Sequence, residues 1–501
     1  MNPGELLSSV KLKQPLAPAL AQAVVTGLAY DSRRVAPGFL FFAFPGSKAD
    51  GRQFAADALA RGAVAVVSES EAGPDMVGFE NRWIQVEHGR RALALAAREF
   101  YGRPDLRLGL TGITGTNGKT TTAYLIDSVL RAAGGVTAMI GTIEYHLAGR
   151  VLKAVNTTPE SLDLMQLFSE LEREGGTHAV MEVSSHALAL GRVFGLNFHT
   201  TVFTNLTRDH LDFHGDMEAY FAAKQMLFDG AGGSPPRFAV LNTDDDYACR
   251  LRIHPETETL WYGMGPNADL RPRHIASGFQ GLRFDVQYRK QRFSIESPLI
   301  GKINVYNILA ACAAGLSYGL APEAIARGIA MLPAVPGRFE RVDEGQPFVV
   351  VVDYAHTDDA LRNVIAVARA LNPKRVITLF GCGGDRDRTK RPLMGRAAAE
   401  ASDFVVLTSD NPRSEDPLTI MNDALVGIRR TDVPHVVEPD RETAIRRALK
   451  EAREGDIVIL AGKGHETYEV LKDRTIDFDD REVAREVLKG YGYHKTQEKT
   501  Q

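Results

Sequence analysis

The stretch "TGITGTNGKTTT", Thr111 to Thr122, limits the fold more than any other part of the chain. An apolar run, "LRLGL", leads into it, and Leu125, Ile126, Val129, Leu130 and Ala133 then fall on one helical face that Gly134 can stop. A glycine-rich turn between a strand and a helix aims successive backbone N–H groups and the positive helix end at one point, as a phosphate requires. Gly115 and Gly118 would let the backbone come close, Lys119 would neutralise the β- and γ-phosphates, and the Thr120 hydroxyl would reach a magnesium ion. Five residues separate Gly112 from Gly118, one more than in the common phosphate loop. That offset argues against a motor ATPase or a GTPase. The competing reading is a glycine turn that carries an exposed lysine.

At 501 residues the chain is too long for one ordinary core, and length alone predicts about three domains. With 44% hydrophobic residues, 24% charged residues and a formal net charge of -4, it reads as a globular protein lacking the basic field that holds nucleic acid. Cys249, Cys312 and Cys382 lie far apart with no metal-ligand spacing, which suits a reducing compartment. The start, "MNPGELLSSVKLKQPLAPAL", has no apolar core of signal-peptide length, and no later segment runs to about 18 apolar residues. A cytoplasmic monomer without nucleic-acid or membrane partners is expected.

Three segments, all α/β, follow along the chain. Residues 1–102 mix short strand-like runs ("GFLFFAF", "GAVAVVS", "RWIQVE") with helix-like ones such as "FAADALARG" and end in the turn signal "YGRPD". Within them "AYDSRRVAPGFLFFAFPGSKADG" sets polar residues on either side of a strand, either to grip a polar ligand or simply as surface turns. Residues 103–336 alternate strands and amphipathic helices around the phosphate loop, so a central P-loop ATPase-like domain with a parallel sheet is expected. Residues 337–501 repeat one device four times, an apolar run followed at once by polar or glycine residues: "FVVVVDYAHT", "RVITLFGCGGDRDR", "DFVVLTSDNPR" and "DIVILAGKGHE". Strands alternating with helices such as "RETAIRRALKEA" predict a Rossmann-like, doubly wound domain whose ligands gather at the carboxyl ends of the strands. Asp353, His356, Asp385, Arg386, Asp410, Arg413, Lys463, His465 and Glu466 all fall at those ends.

In "THAVMEVSSHAL" an apolar strand runs into Glu182, and a carboxylate at the end of a buried strand needs a cation or hydrogen-bond donors. Magnesium between an acidic residue and phosphates meets that need, and so does a structural salt bridge. Taken alone, His210 and Lys224 in "TNLTRDHLDFHGDMEAYFAAKQMLF" are an ordinary loop histidine and surface lysine.

The loop "GITGTNGKTT" nevertheless resembles the G-x-x-G-T-x-G-K-T loop of the Mur ligases, ATP-dependent amide-forming enzymes of peptidoglycan precursor synthesis, and the resemblance runs over nearly the whole chain. "EVSSHAL" and "TNLTRDHLDFHG" are similar to signature segments of that family. The resemblance implies Glu182 and His210 as magnesium ligands beside Thr120, and Lys224 as a carbamylated lysine (N6-carboxylysine), a cation turned into a carboxylate-like ligand. For ATP it implies Gly115, Thr116, Asn117, Gly118, Lys119, Thr120 and Thr121, with Asn304 and Asn307 in "INVYN", Arg338 in "GRFE", and Asp353 and His356 in "DYAHT". For the nucleotide-sugar dipeptide it implies Tyr30, Ser32, Lys48, Ala49 and Asp50 in the first domain and Asn156, Thr157, Thr158, Ser184 and Arg192 in the second. Leu190 stands where some relatives carry a glutamine.

Asp410-Asn411-Pro412-Arg413 looks like the D-N-P-R motif of the Mur ligases that add meso-diaminopimelate to UDP-N-acetylmuramoyl-L-alanyl-D-glutamate. An arginine can hold the far carboxylate of that amino acid with two parallel hydrogen bonds, whereas lysine offers no carboxylate there. Arg386 and Arg413 are then the clamps, and Gly462 and Glu466 receive the far amine. Amide synthesis would proceed through an acyl phosphate, with Lys119 and magnesium neutralising charge. The rival expectations are a lysine-adding Mur ligase, a folylpolyglutamate synthetase, and a nucleotide-driven switch without acyl transfer.

Overall fold

The computed structural model of the chain describes residues 1–46, 50–73 and 80–494. Four parallel strands, β1 (Gly27–Ala29), β2 (Phe39–Ala43), β3 (Ala65–Ser68) and β4 (Trp83–Gln85), form the first sheet in chain order. The unbroken apolar run in β2 reflects burial on both faces. Leu40 and Phe42 pack in a core with Leu93 and Ala97 of the helix Gly89–Phe100, while Phe41 and Ala43 pack on the other side against Ala55 and Leu59 of the helix Ala55–Ala60.

The second sheet has eleven strands: β5 (Gly109–Thr114), β6 (Thr137–Ile140), β7 (Glu144–Leu147), β8 (Arg150–Lys153), β9 (His178–Glu182), β10 (Thr200–Phe203), β11 (Phe238–Asn242), β12 (Glu258–Tyr262), β13 (Leu270–Gly278), β14 (Gly281–Tyr288) and β15 (Gln291–Ser297). Its order is β15-β14-β13-β12-β11-β10-β5-β9-β6-β7-β8. The middle, β12 to β6, is parallel, and antiparallel ribbons close both flanks. β5 runs through the centre into the helix Lys119–Ala132, on which Leu125, Ile126, Val129 and Leu130 are all buried and which Gly134 ends with a positive φ of 89°. Ala133, expected on that face, is exposed at the helix end.

The third sheet joins β16 (Glu340–Val342), β17 (Val349–Asp353), β18 (Val376–Phe380), β19 (Phe404–Leu407), β20 (His435–Val437) and β21 (Ile457–Ala461) in the order β16-β17-β21-β18-β19-β20. All pairs are parallel except β16 with β17. The four apolar runs of the sequence are thus its four central strands, and their carboxyl ends stand side by side. A short hairpin, β22 (Tyr468–Val470) and β23 (Thr475–Asp477), follows. No helix among the described residues is long and apolar enough to cross a membrane.

A buried ion pair fastens those strand ends. Arg441 and Asp480, from two helices near the end of the chain, are both fully buried. The guanidinium donates to Asp480 at 2.8 and 2.7 Å, to the Ser409 carbonyl at 2.9 Å and to the Ala461 carbonyl at 3.0 Å. Those carbonyls immediately precede Asp410 and Gly462. A buried charge pair is tolerated only when its hydrogen bonds are made, and removing one partner strands the other. Asp480→Asn is therefore expected to lower the stability of the third domain by about 3 kcal/mol, seen in denaturant unfolding as an earlier transition; an unchanged midpoint would show that the pair carries no net stability.

Candidate active site

The structure moves the start of the phosphate loop. Gly112 lies inside β5, where an added Cβ would meet the Phe198 ring at 2.7 Å, so it is a strand glycine and the five-residue interval counted from it is not the loop's own spacing. The turn is Gly115 to Gly118. Gly115 has a φ of 146°, and a Cβ there would stand 1.9 Å from Thr204 Oγ1. Thr204 to Thr207, which follow β10, clip this turn in place. The Thr116 N–H donates to the Asn205 carbonyl (2.9 Å), the Asn117 N–H to Asn205 Oδ1 (2.9 Å), and Thr204 Oγ1 to the Asn117 carbonyl (2.7 Å).

Lys119 donates to the carbonyls of Gly115 (3.0 Å) and Thr116 (2.8 Å). Lys224, only 1% exposed, also donates to Gly115 O, at 2.8 Å, with its ammonium 4.6 Å from the Tyr220 ring centre. Burial lowers the pKa of both lysines, and in Lys224 the Lys119 charge lowers it further. Arg338 donates to Thr120 Oγ1 at 3.2 Å, and its Nε is buried without a partner. Cationic donors with no carboxylate hydrogen-bonded to them call for an anion in this cleft.

Glu182 stands at the end of β9 and accepts from the Thr142 N–H (2.9 Å) and hydroxyl (3.2 Å). His210 adopts a left-handed backbone and packs edge-on to His186 at 4.8 Å; loss of solvent around its partly exposed ring pushes its pKa down to about 4. Thr120, Glu182, His210 and Lys224 all line one cleft of about 530 Å³. Among the described residues, no three His, Cys, Asp or Glu side chains form a group that could by themselves hold a metal ion.

The remaining ATP candidates, including Thr121, line the same cleft. Asn304 and Asn307 are buried and joined, Asn307 Nδ2 donating to Asn304 Oδ1 at 2.9 Å. Asp353 accepts from the N–H groups of Phe339 (2.7 Å) and Ala355 (2.8 Å), and the His356 ring contacts the Tyr354 carbonyl at 2.9 Å. Burial raises the Asp353 pKa and lowers that of His356.

A second cleft, of about 410 Å³, opens at the strand ends of the third sheet and is lined by Arg386, Asp410, Asn411, Arg413, Gly462 and Glu466. His210, Tyr354 and His356 line both clefts, so the two communicate. Asn411 is the hub: it donates to Glu466 at 2.8 Å and accepts from the Val470 N–H at 2.8 Å and from buried Lys463 at 3.3 Å. Arg413 donates to the carbonyls of Gly384 (2.9 Å) and Asn411 (3.3 Å), and Arg386 is exposed at the rim. Pro412 is buried against Gly384, outside the lining. Burial, then the Asp410 charge, raises the Glu466 pKa.

The nucleotide-sugar candidates are dispersed. Thr157 and Ser184 line the first cleft, and Thr158 donates to the Glu182 carbonyl at 2.9 Å. Arg192 donates to Glu160 (2.9 Å) and to the Thr158 carbonyl (3.0 Å), and the Asn156 carbonyl accepts from Tyr145 at 2.5 Å. Tyr30 donates to Asp163 across the domain boundary at 2.6 Å, Ser32 is buried beside it, and Asp50 pairs with Arg52. Leu190 caps the helix Ser185–Ala189 and lines neither cleft. Lys48 and Ala49 lie outside the described residues. Sequence reading missed Asp359, Lys390 and Arg441; only Lys463, already noted at a strand end, carried a visible signal.

Fold and site define a three-domain α/β protein with a phosphate loop on one domain facing a charged cleft on the next. The chain matches the Mur ligase family catalytic domain over residues 24–101, the Mur ligase middle domain over 113–315 and the Mur ligase glutamate ligase domain over 337–464. It is 86% identical over 99% of its length, and all of the relative's, to the UDP-N-acetylmuramoyl-L-alanyl-D-glutamate--2,6-diaminopimelate ligase of Solibacter usitatus (strain Ellin6076). Identity to the ligase of the same name from Geobacillus thermodenitrificans (strain NG80-2) is 47%, covering 93% of this chain and 95% of that one. A solved structure of a ligase of this name superposes with a TM-score of 0.70 at 33% identity, covering 96% of this chain and 98% of the other. The chain belongs to the Mur ligase family.

At Gly115, where both the positive φ and the Thr204 contact forbid a side chain, Gly115→Ala is expected to weaken binding of a non-hydrolysable ATP analogue at least about 100-fold, near 2.7 kcal/mol. Calorimetric titration measures this, with circular dichroism confirming an intact fold.

Proposed function

We infer that the protein is an ATP-dependent ligase that adds meso-2,6-diaminopimelate to UDP-N-acetylmuramoyl-L-alanyl-D-glutamate, forming the UDP-MurNAc-tripeptide in peptidoglycan precursor synthesis. One observation carries the choice of amino acid: the second cleft places Arg413 beside Asp410 and Glu466. An arginine and two acids together suit an amino-acid end with one carboxylate and one ammonium. L-lysine brings only the ammonium, which would leave Arg413 without an anion. The relatives named above support the same choice.

The chemistry follows from where the charges stand. The γ-phosphoryl group passes from ATP to a glutamate carboxylate oxygen of the dipeptide and ADP leaves, with Lys119 and Arg338 placed to stabilise the transferring group. The amine of diaminopimelate attacks the acyl carbon, the tetrahedral intermediate expels phosphate, and the amine loses its proton. Arg386, Arg413 and Glu466 hold the nucleophile so that its approach is nearly unimolecular.

The residues fit a magnesium ion. Thr120, Glu182 and neutral His210 line the nucleotide cleft, and so small a protein set suits an ion that keeps waters and shares phosphate oxygens. Magnesium would supply charge neutralisation of the phosphates. Lys224 fits carbamylation: burial and the Lys119 charge lower its pKa and so favour the neutral amine, which adds to the carbon of CO2 and loses a proton, and the resulting carboxylate would stand beside Lys119 in place of a second cation.

The nucleotide-sugar dipeptide is assigned to the first domain and the edge of the second, with Tyr30, Ser32, Lys48, Ala49, Asp50, Asn156, Thr157, Thr158, Ser184 and Arg192 as its contacts and Leu190 in place of a polar one. The domain boundaries are placed near residues 102 and 336, a reading supported by the helix that ends at Phe100 and the strand that begins at Glu340. The protein would act as a cytoplasmic monomer on small-molecule substrates.

With UDP-MurNAc-dipeptide, ATP and magnesium, phosphate release is expected on addition of meso-diaminopimelate and not of L-lysine; release with lysine alone would overturn the amino-acid assignment, and release without either would favour a nucleotide switch. Arg413→Lys should cost about 2 kcal/mol, roughly thirtyfold, in kcat/KM for diaminopimelate while leaving the KM for ATP within about twofold, because a point charge cannot reproduce the fork.

A further inference from the structure

Helix Asp358–Arg369 belongs to the third domain, yet its first turn touches the phosphate loop of the second. Oδ2 of Asp359 accepts from Asn117 Nδ2 at 2.9 Å, from Thr207 Oγ1 at 3.2 Å and from Asn363 Nδ2 of its own helix at 3.2 Å. Asn117 belongs to the loop that must meet ATP, and Thr207 to the segment that clips this loop. The Thr207 N–H donates to Thr116 Oγ1 at 3.0 Å, and Asn117 Nδ2 also reaches Thr207 Oγ1 at 3.4 Å. A single oxygen therefore receives donors from the loop, its clip and the helix of the facing domain.

The residue type suits that position. Three donors converging on one oxygen call for an acceptor with full negative charge, and a carboxylate in the first turn of a helix is further stabilised by the helix dipole. Thr357 caps the helix by accepting from the Ala360 N–H at 3.1 Å, which fixes the turn carrying Asp359. Farther along, Asn363, Val364 and Val367 line the nucleotide cleft, so the helix forms one wall of that cleft. His356, three residues before Asp359, lines both clefts.

We propose that Asp359 is the latch joining the phosphate loop to the third domain, a positioning residue through which nucleotide in the loop holds the amino-acid cleft closed against the acyl group. The loop carries the phosphates and the third domain carries the nucleophile, so the reaction needs both domains docked. Asp359 bonds to the loop and its clip only when they are. It touches no reacting atom, and its effect falls on the approach of the two substrates, not on either binding site alone. The proposal rests on the reading of the loop as an ATP site. If that reading fails, the unaltered protein does not bind the ATP analogue; if the latch fails, the unaltered protein binds it and the variant closes normally.

The test compares the full-length protein with Asp359→Ala and Asp359→Asn, using a non-hydrolysable ATP analogue with magnesium and UDP-MurNAc-dipeptide. At saturating analogue the compaction seen by small-angle X-ray scattering should be lost in Asp359→Ala and kcat with diaminopimelate should fall about tenfold, with analogue affinity lowered by about tenfold at most, because binding no longer gains from closure. Asp359→Asn, which keeps an acceptor oxygen, should fall between the two. Thr207→Val combined with Asp359→Ala should cost less than the sum of the two single changes, because both lose the Thr207–Asp359 bond. Normal compaction and kcat in Asp359→Ala, a loss of analogue affinity beyond about a hundredfold, or fully additive effects in the double variant would each overturn the latch.

Discussion

Two ammonium groups share one carbonyl oxygen. Lys119 and Lys224 both donate to Gly115 O, and their mutual repulsion in a buried setting is the constraint around which the nucleotide cleft is built. A lone cation buried without a counter-charge is costly, and two are worse. The fold meets that cost by holding Gly115 in a conformation open only to glycine, so its carbonyl faces both lysines, and by leaving a cleft of about 530 Å³ beside them for phosphates. The side-chain-free Cα of Gly115 and the clip from Thr204 to Thr207 serve the same end, because any side chain there would separate the loop from its clip.

The amino-acid cleft follows a different logic. Its polar residues project from the carboxyl ends of parallel strands, where backbone carbonyls have no further strand partners, and Arg441 takes up two of these carbonyls from below. The Arg441–Asp480 pair thus acts on ligand geometry without facing the ligand: it holds the starts of the Asp410 and Gly462 segments at a fixed separation. Asn411 then ties that framework to the hairpin β22–β23 and to Glu466.

Much of this was legible in the sequence, for physical reasons. The four central strands of the third sheet are apolar throughout because helices cover both faces, and each ends abruptly where the sheet meets solvent and ligand. The phosphate loop was legible because glycine, lysine and threonine have few other reasons to stand at that spacing before an amphipathic helix. The count from Gly112 pointed away from motor ATPases and GTPases, as the family match bears out, although Gly112 itself answers to the Phe198 ring and not to a phosphate. Asp359 left no trace at all: its partner Asn117 lies 242 residues away, and a carboxylate in the first turn of a helix looks like an ordinary dipole match. The nucleotide-sugar candidates of the first domain lie in a polar stretch visible in the sequence, the others came from family resemblance, and in the structure they bond mainly to neighbours such as Asp163, Arg52, Glu160 and Glu182.

Three of the nine non-glycine residues with left-handed φ angles among the described residues stand at the clefts. His210, Phe339 and Arg413 all carry left-handed φ angles, 54°, 47° and 51°, and all line the two clefts. Each such residue costs about 1 kcal/mol or more and persists only where its surroundings over-determine it. At Arg413 the surroundings are visible: its N–H donates to the Val470 carbonyl at 3.0 Å while its guanidinium reaches back to Gly384 O. Main chain and side chain are thereby pinned at opposite ends, and the guanidinium is held in one orientation at the wall of the second cleft. A relaxed backbone would free the side chain to swing out to solvent, and the second cleft would lose a cation fixed at its wall although the charge remained.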